Sequence, residues 1–275
     1  MTSTLPPRHL AVAPDAPTSA DEFLASLTDD VAASGLVDLP NYRTLTVPDV
    51  QLPDRTLDWK SRHDPASLGY GLRQLLAAST PIQDHVLPMG PIMDQGAEGA
   101  CTGFGAAAAS NVLEAIDGGT EWLAAADADE LYERAKDIDE WPGDSYAGSS
   151  VLAVMKAGQE RKLWDGYVWD FGTADIVQSI LSGRPVVMGV PILSGMFDTD
   201  GDGVWSVTGS ATGQGHCLPA VGVLTSVAGR PGPWIVVQNS WGTSWGDGGL
   251  GYVHHKDLAR LLRGVGEAAV PVAPQ

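Results

Sequence analysis

The sequence predicts an α+β fold in which a helical half precedes a strand-rich half. Segments with helical spacing of apolar residues lie between residues 101 and 181, whereas short β-type runs separated by Gly and Pro begin after Pro185. The chain has 275 residues with 44% hydrophobic content, so it can bury a sizeable core. This size fits one large domain or two lobes that share a cleft.

The first 50 residues differ in composition from the rest of the chain. Pro6, Pro7, Pro14 and Pro17 interrupt regular structure, and residues 19–34 fit one short acidic helix. We interpret residues 1–50 as an N-terminal tail or a short pro-segment.

Four helices are expected in the helical half. The first covers residues 101–116, because this segment is rich in alanine at 106–109 and is followed by Gly118 and Gly119. The spacing of apolar residues indicates three more helices. Their markers are Trp122, Leu123, Leu131, Tyr132, Ala135 and Ile138; Val151, Leu152 and Met155; and Ile176, Ile180 and Leu181.

Four β-type runs are expected in the second half, at residues 186–192, 218–225, 234–238 and 251–254. The segment 201–215 is rich in glycine and poor in apolar side chains, so it predicts a flexible loop. His254 and His255 are adjacent on the last predicted strand and would point to opposite faces. We therefore interpret both histidines as structural.

The charge of the chain excludes some classes of partner. A formal net charge of −18 and a pI near 4.4 argue against nucleic acid, which requires clustered Lys and Arg. The acidity indicates weakly that polypeptide substrates are basic or neutral. No run of eighteen apolar residues and no signal-peptide pattern is present, so we expect no membrane segment and a cytoplasmic location. The oligomeric state is not indicated.

Three short stretches carry the candidate chemistry. Gln95 precedes Cys101 by six positions, His216 lies between Gly215 and Cys217, and Asn239 lies within Gln-Asn-Ser-Trp-Gly. A cysteine nucleophile needs a nearby base, and the base needs a group that orients it. The three stretches supply these parts and predict an enzyme that cleaves amide bonds.

These stretches resemble the motifs of the papain-like cysteine peptidases. The resemblance extends from about residue 94 to residue 257, and Asp58-Trp59 resembles the start of the mature enzymes. Two departures are visible: Glu-Gly-Ala precedes Cys101, so the usual disulfide-bonded cysteine is missing, and Thr102 follows where an aromatic residue is usual. The pattern is that of a branch without the usual disulfides.

The resemblance implies a two-lobe fold with the active-site cleft between the lobes. A helical lobe at about 91–180 would carry the cysteine. An antiparallel β-barrel-like lobe at about 181–275, with residues 51–60, would carry the histidine and the asparagine. Residues 51–275 would then form the catalytic domain. A polypeptide or peptide is the implied partner, and no cofactor or metal is needed.

Each candidate residue has an expected role. Cys101 would be the nucleophile, and because a free thiol has a pKa of about 8.5, the helix N-terminus and an imidazolium from His216 would stabilise its thiolate. His216 would also protonate the leaving amine. Gln95 and the Cys101 N–H would stabilise the oxyanion. Asn239 would orient the imidazole, and Trp241 would shield that hydrogen bond from water.

Substrate contacts are also implied by the resemblance. Gly148 would lie on the helical rim, where backbone groups bind an extended peptide. Gly189, Gln214 and Gly215 would border the pocket for the side chain that precedes the reacting residue, and Trp241 would lie beside the site. The alternative is that these glycines mark turns and strands.

Asp198, Asp200 and Asp202 alternate as in the first half of a calcium loop. Position twelve of such a loop would be Gly209 instead of the glutamate that calcium requires. We interpret the three carboxylates as a solvated turn and predict no metal there.

Two alternative functions stay open. An acyl-enzyme can react with an amine in place of water, which would make the chain a transglutaminase- or transpeptidase-like enzyme. A catalytically silent papain-fold protein that binds a peptide is the other alternative, because Thr102 replaces the usual aromatic residue.

Overall fold

The computed structural model describes residues 57, 59–60, 80–139, 147–170, 172–263 and 266–273. These residues form five helices and seven strands, and every pair of neighbouring strands is antiparallel. This combination confirms the predicted α+β class. The predicted tail at residues 1–50 lies outside the described residues.

Three helices pack together on one side of the molecule: α1 (Cys101–Ile116), α2 (Ala125–Ile138) and α3 (Val151–Glu160). A Cβ atom at Gly103 would overlap the carbonyl oxygen of Ala128, so glycine allows α1 and α2 to approach closely. The side chain of Ser150 accepts a hydrogen bond from the N–H of Ala153 at 3.1 Å and caps α3. These bounds confirm the helices predicted at 101–116 and after Ser149.

The strands form one sheet with the order β2-β7-β3-β4-β5-β6, and β1 pairs with β4. Their bounds are β1 (His85–Val86), β2 (Gly166–Trp169), β3 (Val186–Leu193), β4 (Ala211–Val227), β5 (Arg230–Gln238), β6 (Leu250–His254) and β7 (Glu267–Val272). The central strands β3, β4 and β5 are almost entirely buried, which fits their runs of Val, Ile and Leu.

Two hydrophobic cores divide the molecule. The helix core contains Phe104, Tyr132 and Trp59, whereas the strand core contains Val223 and Trp241 with most of the apolar side chains of β3 to β6. The last of the four predicted helices, the one marked by Ile176, Ile180 and Leu181, is α4 (Thr173–Leu181). Its residues Ile176, Val177 and Ile180 lie in the strand core. Strand β2 pairs with β7. Residues 166–181 therefore pack with the strands, although the predicted helical lobe continued to about 180.

Two local predictions were wrong. Residues 211–215 belong to β4 instead of a flexible loop, because β3 pairs with them and the Thr212 hydroxyl donates a hydrogen bond to the Ile192 carbonyl at 2.7 Å. His255 begins helix α5 (His255–Leu262), whereas His254 ends β6. Burial, followed by the charges of His254 and Lys256, lowers the pKa of His255 to about 3. His255 is therefore neutral at physiological pH.

No helix among the described residues is long and apolar enough to span a membrane.

Candidate active site

Cys101 is the first residue of α1, as predicted, and its side chain is fully buried. The helix begins when the N–H of Phe104 donates to the carbonyl of Ala100 at 3.2 Å. No side chain caps this helix end within the described part of the chain. The first-turn N–H groups and the positive end of the helix dipole therefore lie beside the sulfur, where they stabilise negative charge.

Gln95 is held in place by the residues that follow β5. Its N–H donates to the carbonyl of Ser240 at 2.9 Å, and the Ser240 hydroxyl donates to Gln95 Oε1 at 2.6 Å. Gln95 Nε2 donates to the Glu98 carbonyl at 2.7 Å. A carboxamide nitrogen has two N–H bonds, so one donor remains for another acceptor. Because Oε1 is fixed by Ser240, the direction of that donor is fixed as well.

His216 lies on β4 and is oriented by Asn239, which directly follows β5. The distance from His216 Nε2 to Asn239 Oδ1 is 2.8 Å. Asn239 Oδ1 also accepts the N–H of Ser240 at 2.8 Å, which identifies this atom as the oxygen of the amide. Nε2 therefore donates to Asn239. Nδ1 is the other ring nitrogen, on the side of the ring that faces away from Asn239.

Trp241 covers this pair. Its ring stacks on the His216 ring at 4.8 Å between centroids, with 27° between the planes. His216, Asn239 and Trp241 are all nearly or fully buried. A hydrogen bond that is shielded from water is stronger than an exposed one, so the imidazole has a well-defined orientation.

Helix α1 packs against β4 at the position of this histidine. A Cβ atom at Gly105 would lie 3.2 Å from Cys217 Sγ, and Cys217 directly follows His216. Cys101 and Gly105 are four residues apart on a helix, so they lie on the same face. The contact therefore brings the helix face that carries Cys101 towards the part of β4 that carries His216.

The predicted substrate glycines Gly189 and Gly215 contact one side chain, the indole of Trp59. A Cβ atom at either glycine would overlap Trp59. The N–H of Trp59 donates to the Gly215 carbonyl at 3.1 Å, and the indole Nε1 donates to Glu267 Oε2 at 3.2 Å. The space expected for a substrate side chain is occupied by Trp59 in this structure.

The other two substrate candidates lie on opposite lobes. The N–H of Gly148 donates to the hydroxyl of Tyr132 at 2.9 Å in front of helix α3. Gln214 is half-buried, its N–H donates to Thr212 Oγ1 at 3.1 Å, and its Oε1 has no hydrogen-bond partner among the described residues. The roles of Gly148 and Gln214 in substrate binding stay predictions.

The acidic turn at 198–202 is joined to an arginine. Arg230 donates to Asp200 Oδ2 at 3.0 Å and to Asp202 Oδ2 at 2.7 Å. Asp200 Oδ1 accepts the N–H groups of Asp202 and Val204. The N–H of Thr199 donates to Asp198. These carboxylates therefore organise a turn and bind a side-chain cation.

Three residues of the site were missed by sequence reasoning. Ser240 fixes Gln95, and it was visible only as the residue between Asn239 and Trp241. Trp59 was interpreted from its resemblance to a mature N-terminus, and Asp58 beside it lies outside the described residues. Glu267 is 1% exposed at the start of β7, and the only signal was an acidic residue before a short apolar run.

A model of the "Papain family cysteine protease" family matches residues 153–263. This segment contains His216 and Asn239 and begins after Gln95 and Cys101. No curated protein matches the chain.

The fold is similar to those of solved cysteine proteases. Xylellain from Xylella fastidiosa aligns with a TM-score of 0.58 and 15% identity, over 82% of this chain and 100% of that chain. ProCathepsin B S9 from Trypanosoma congolense gives 0.59 and 14%, over 81% and 87%. Bromelain from Ananas comosus, solved in complex with the E64 inhibitor, gives 0.51 and 15%, over 70% and 100%.

Proposed function

We propose that this chain, of which residues 153–263 match a model of the papain family of cysteine proteases, is a protease of that type and hydrolyses peptide bonds with Cys101 as nucleophile and His216 as proton carrier. The observation that carries the proposal is the buried hydrogen bond of 2.8 Å from His216 Nε2 to Asn239 Oδ1 under the Trp241 ring. An imidazole with a fixed orientation and a thiol at a helix N-terminus are the two groups that acyl transfer by a cysteine enzyme requires.

In the first step the Cys101 thiolate attacks the carbonyl carbon of the peptide bond. The carbonyl oxygen becomes negatively charged, and the Cys101 N–H and Gln95 Nε2 donate hydrogen bonds to it. The hydrogen bond from Ser240 to Gln95 Oε1 supports this role, because it fixes the carboxamide before the substrate arrives. Donors that are already in position stabilise the oxyanion without a reorganisation cost.

In the second step the tetrahedral intermediate loses the amine. His216 Nδ1–H gives its proton to the leaving nitrogen, the C–N bond breaks, and a thioester remains on Cys101. Water then attacks the thioester and gives a proton to Nδ1. The acid product leaves, and the thiolate and imidazolium are restored. Asn239 accepts the Nε2 hydrogen bond throughout, so the ring stays aligned while its charge changes.

The test combines hydrolysis with active-site labelling. The purified 275-residue chain is incubated with a fluorogenic peptide library, and iodoacetamide adducts are located by mass spectrometry. We expect hydrolysis and preferential alkylation of Cys101 over Cys217. Labelling of Cys217 alone in folded protein would contradict the proposal. Absence of turnover despite a labelled Cys101 would favour the silent binding protein, and amide products formed with added amines would favour acyl transfer.

Substrate class and location follow as parts of the same proposal. The net charge of −18 supports basic or neutral polypeptides as substrates. Neither Cys101 nor Cys217 is disulfide-bonded, which is compatible with a reducing cytoplasm.

A further inference from the structure

One tyrosine of helix α2 connects the beginning of α1 with Gly148. The backbone and Cβ of Tyr132 lie against Gly103, and a Cβ atom on that glycine would overlap them. At the far end of the ring, the Tyr132 hydroxyl accepts the N–H of Gly148 at 2.9 Å in a buried hydrogen bond. Gly103 and Cys101 belong to the same first turn of α1. Tyr132 therefore links the turn that carries the proposed nucleophile to the backbone of Gly148.

The side chain of Tyr132 is a rigid spacer. A tyrosine has two rotatable side-chain angles, so little conformational freedom remains once its ring is packed. Tyr132 is buried in the helix core, and Lys136 Nζ lies 4.9 Å from the centroid of its ring. The length of one tyrosine side chain therefore sets the separation between α1 and the Gly148 backbone.

A second hydrogen bond joins the same stretch of backbone to the end of α2. The hydroxyl of Ser149 donates to Asp139 Oδ2 at 2.8 Å, and Asp139 directly follows α2. Ser149 is fully buried, and the next residue, Ser150, caps α3. Gly148 has a φ of +88°, a conformation that favours glycine. Residues 148–150 are therefore each held by a hydrogen bond, two of them to α2 and one to α3.

We propose that Tyr132 positions the Gly148 backbone for extended substrates, and that Asp139 supports this position through Ser149. The inference rests on the proposed function and on the predicted contact between Gly148 and an extended peptide. A backbone that is already ordered binds a peptide without an ordering cost. Loss of either hydrogen bond should therefore weaken the binding of substrates that reach Gly148 and leave the chemical step unchanged.

Tyr132→Phe isolates the hydrogen bond from the packing. The ring stays against Gly103, so the contact between α1 and α2 is retained, whereas the buried N–H of Gly148 loses its acceptor. An unpaired buried N–H is unfavourable, so the backbone of Gly148 should leave this position more often. Tyr252→Phe is the matched control, because Tyr252 is also buried and its hydroxyl donates to Asp247 Oδ2 at 2.8 Å in the strand core.

The first experiment measures both the hydrogen bond and its effect on catalysis in the 275-residue chain. Exchange of the Gly148 amide hydrogen is followed by NMR. Kinetics use two coumarin amides: the best tripeptide from the peptide library and its last residue alone, which is too short to reach Gly148. Thermal unfolding verifies that each variant is folded.

We expect the Gly148 amide hydrogen of Tyr132→Phe to exchange about tenfold faster than in wild type. KM for the tripeptide amide should rise about 3- to 10-fold with kcat unchanged, which is the effect of losing one hydrogen bond that acts in binding. Kinetics with the single-residue amide should not change, and Tyr252→Phe should match wild type with both substrates.

The failures of this proposal and of the proposed function differ. Wild-type exchange at Gly148, or equal changes in the kinetics of the long and the short amide, would overturn the role of Tyr132. A purely structural role would alter both amides alike. Absence of turnover in wild type would contradict the proposed function, whereas amide exchange would still decide whether Tyr132 holds Gly148.

The second experiment tests the support from Asp139. Asp139→Asn keeps an oxygen that accepts the Ser149 hydroxyl, whereas Asp139→Ala removes the acceptor. We expect Asp139→Ala to raise KM for the tripeptide amide about 2- to 5-fold with kcat unchanged, and Asp139→Asn to restore a KM close to that of wild type. Equal losses in the two folded variants would show that the charge of Asp139 matters in place of the hydrogen bond, and would overturn its assigned role.

Discussion

Helix α1 and strand β4 each carry one of the two cysteines, neither of which is disulfide-bonded, and both side chains are fully buried. Cys101 lies where a helix begins and its backbone donors have no side-chain cap among the described residues. Cys217 lies inside β4, in register with Gly189. The side chains are identical, so the backbone element around each sulfur decides its chemistry.

The surroundings of Cys217 disfavour a thiolate. Burial raises the pKa of Cys217 well above its usual range, and the negative charges of Cys101 and Glu267 raise it further. A helix N-terminus has the opposite effect on charge, because its N–H groups favour an anion. A second thiol can therefore lie near the proposed nucleophile while its own surroundings keep it protonated.

Among the substitutions, replacing each cysteine in turn should give the largest difference in kcat/KM. Cys101→Ser should lower kcat/KM by at least about 10⁴-fold, as expected when a nucleophile is removed. Cys217→Ser should lower it by less than about tenfold, because that sulfur only packs against α1. Steady-state kinetics on both variants of the 275-residue chain, with thermal unfolding as a control, provide the measurement. Comparable losses in two folded variants would show that the assignment of the nucleophile is wrong.

Substitution of Gln95 tests the proposed oxyanion donor on the helix side of the site. Gln95→Ala should reduce kcat about 10²- to 10³-fold, since one fixed donor to the oxyanion is lost. Ser240→Ala removes the hydroxyl that orients Gln95 and should cost less, because the donor remains while its direction is no longer fixed. An effect on KM alone in Gln95→Ala would indicate substrate binding in place of oxyanion stabilisation.

Substitution of Asn239 tests the proposed orientation of His216 on the strand side of the site. Asn239→Ala should reduce kcat/KM by about 10- to 100-fold, because the buried His216 ring loses the acceptor of its Nε2 hydrogen. Asn239→Gln keeps the functional group and displaces it, so a partial loss is expected. The pH profile of kcat/KM is the discriminating readout: the limb assigned to His216 should move to lower pH in Asn239→Ala. A profile of unchanged shape would limit Asn239 to a packing role.

Much of this site could be predicted because its signals are local. The alanines of α1 and the paired glycines after it define the helix around Cys101, and Asn239 lies in a short motif. Trp59 and Glu267 could not be predicted, because 208 positions separate them and their contact forms only in the folded sheet. Residues 211–215 look like a loop in sequence, and they become a strand because β3 supplies the pairing.

Cys217 also gives the smallest expected effect, a pH-dependent change in stability. A thiol with a raised pKa in the folded state contributes its full stability below the pKa of the unfolded chain. That contribution is lost as the pH rises through the folded value. Above about pH 8.5, the ordinary thiol value, the free energy of unfolding should therefore fall in wild type by about 1.4 kcal/mol per pH unit more than in Cys217→Ala, because the pKa of Cys217 is raised in the folded state. Urea unfolding between pH 8 and 10.5 measures the two slopes, and comparing slopes removes the constant cost of the small cavity. Parallel slopes would mean that Cys217 ionises as easily in the folded protein as in the unfolded chain, and the contrast with Cys101 would disappear.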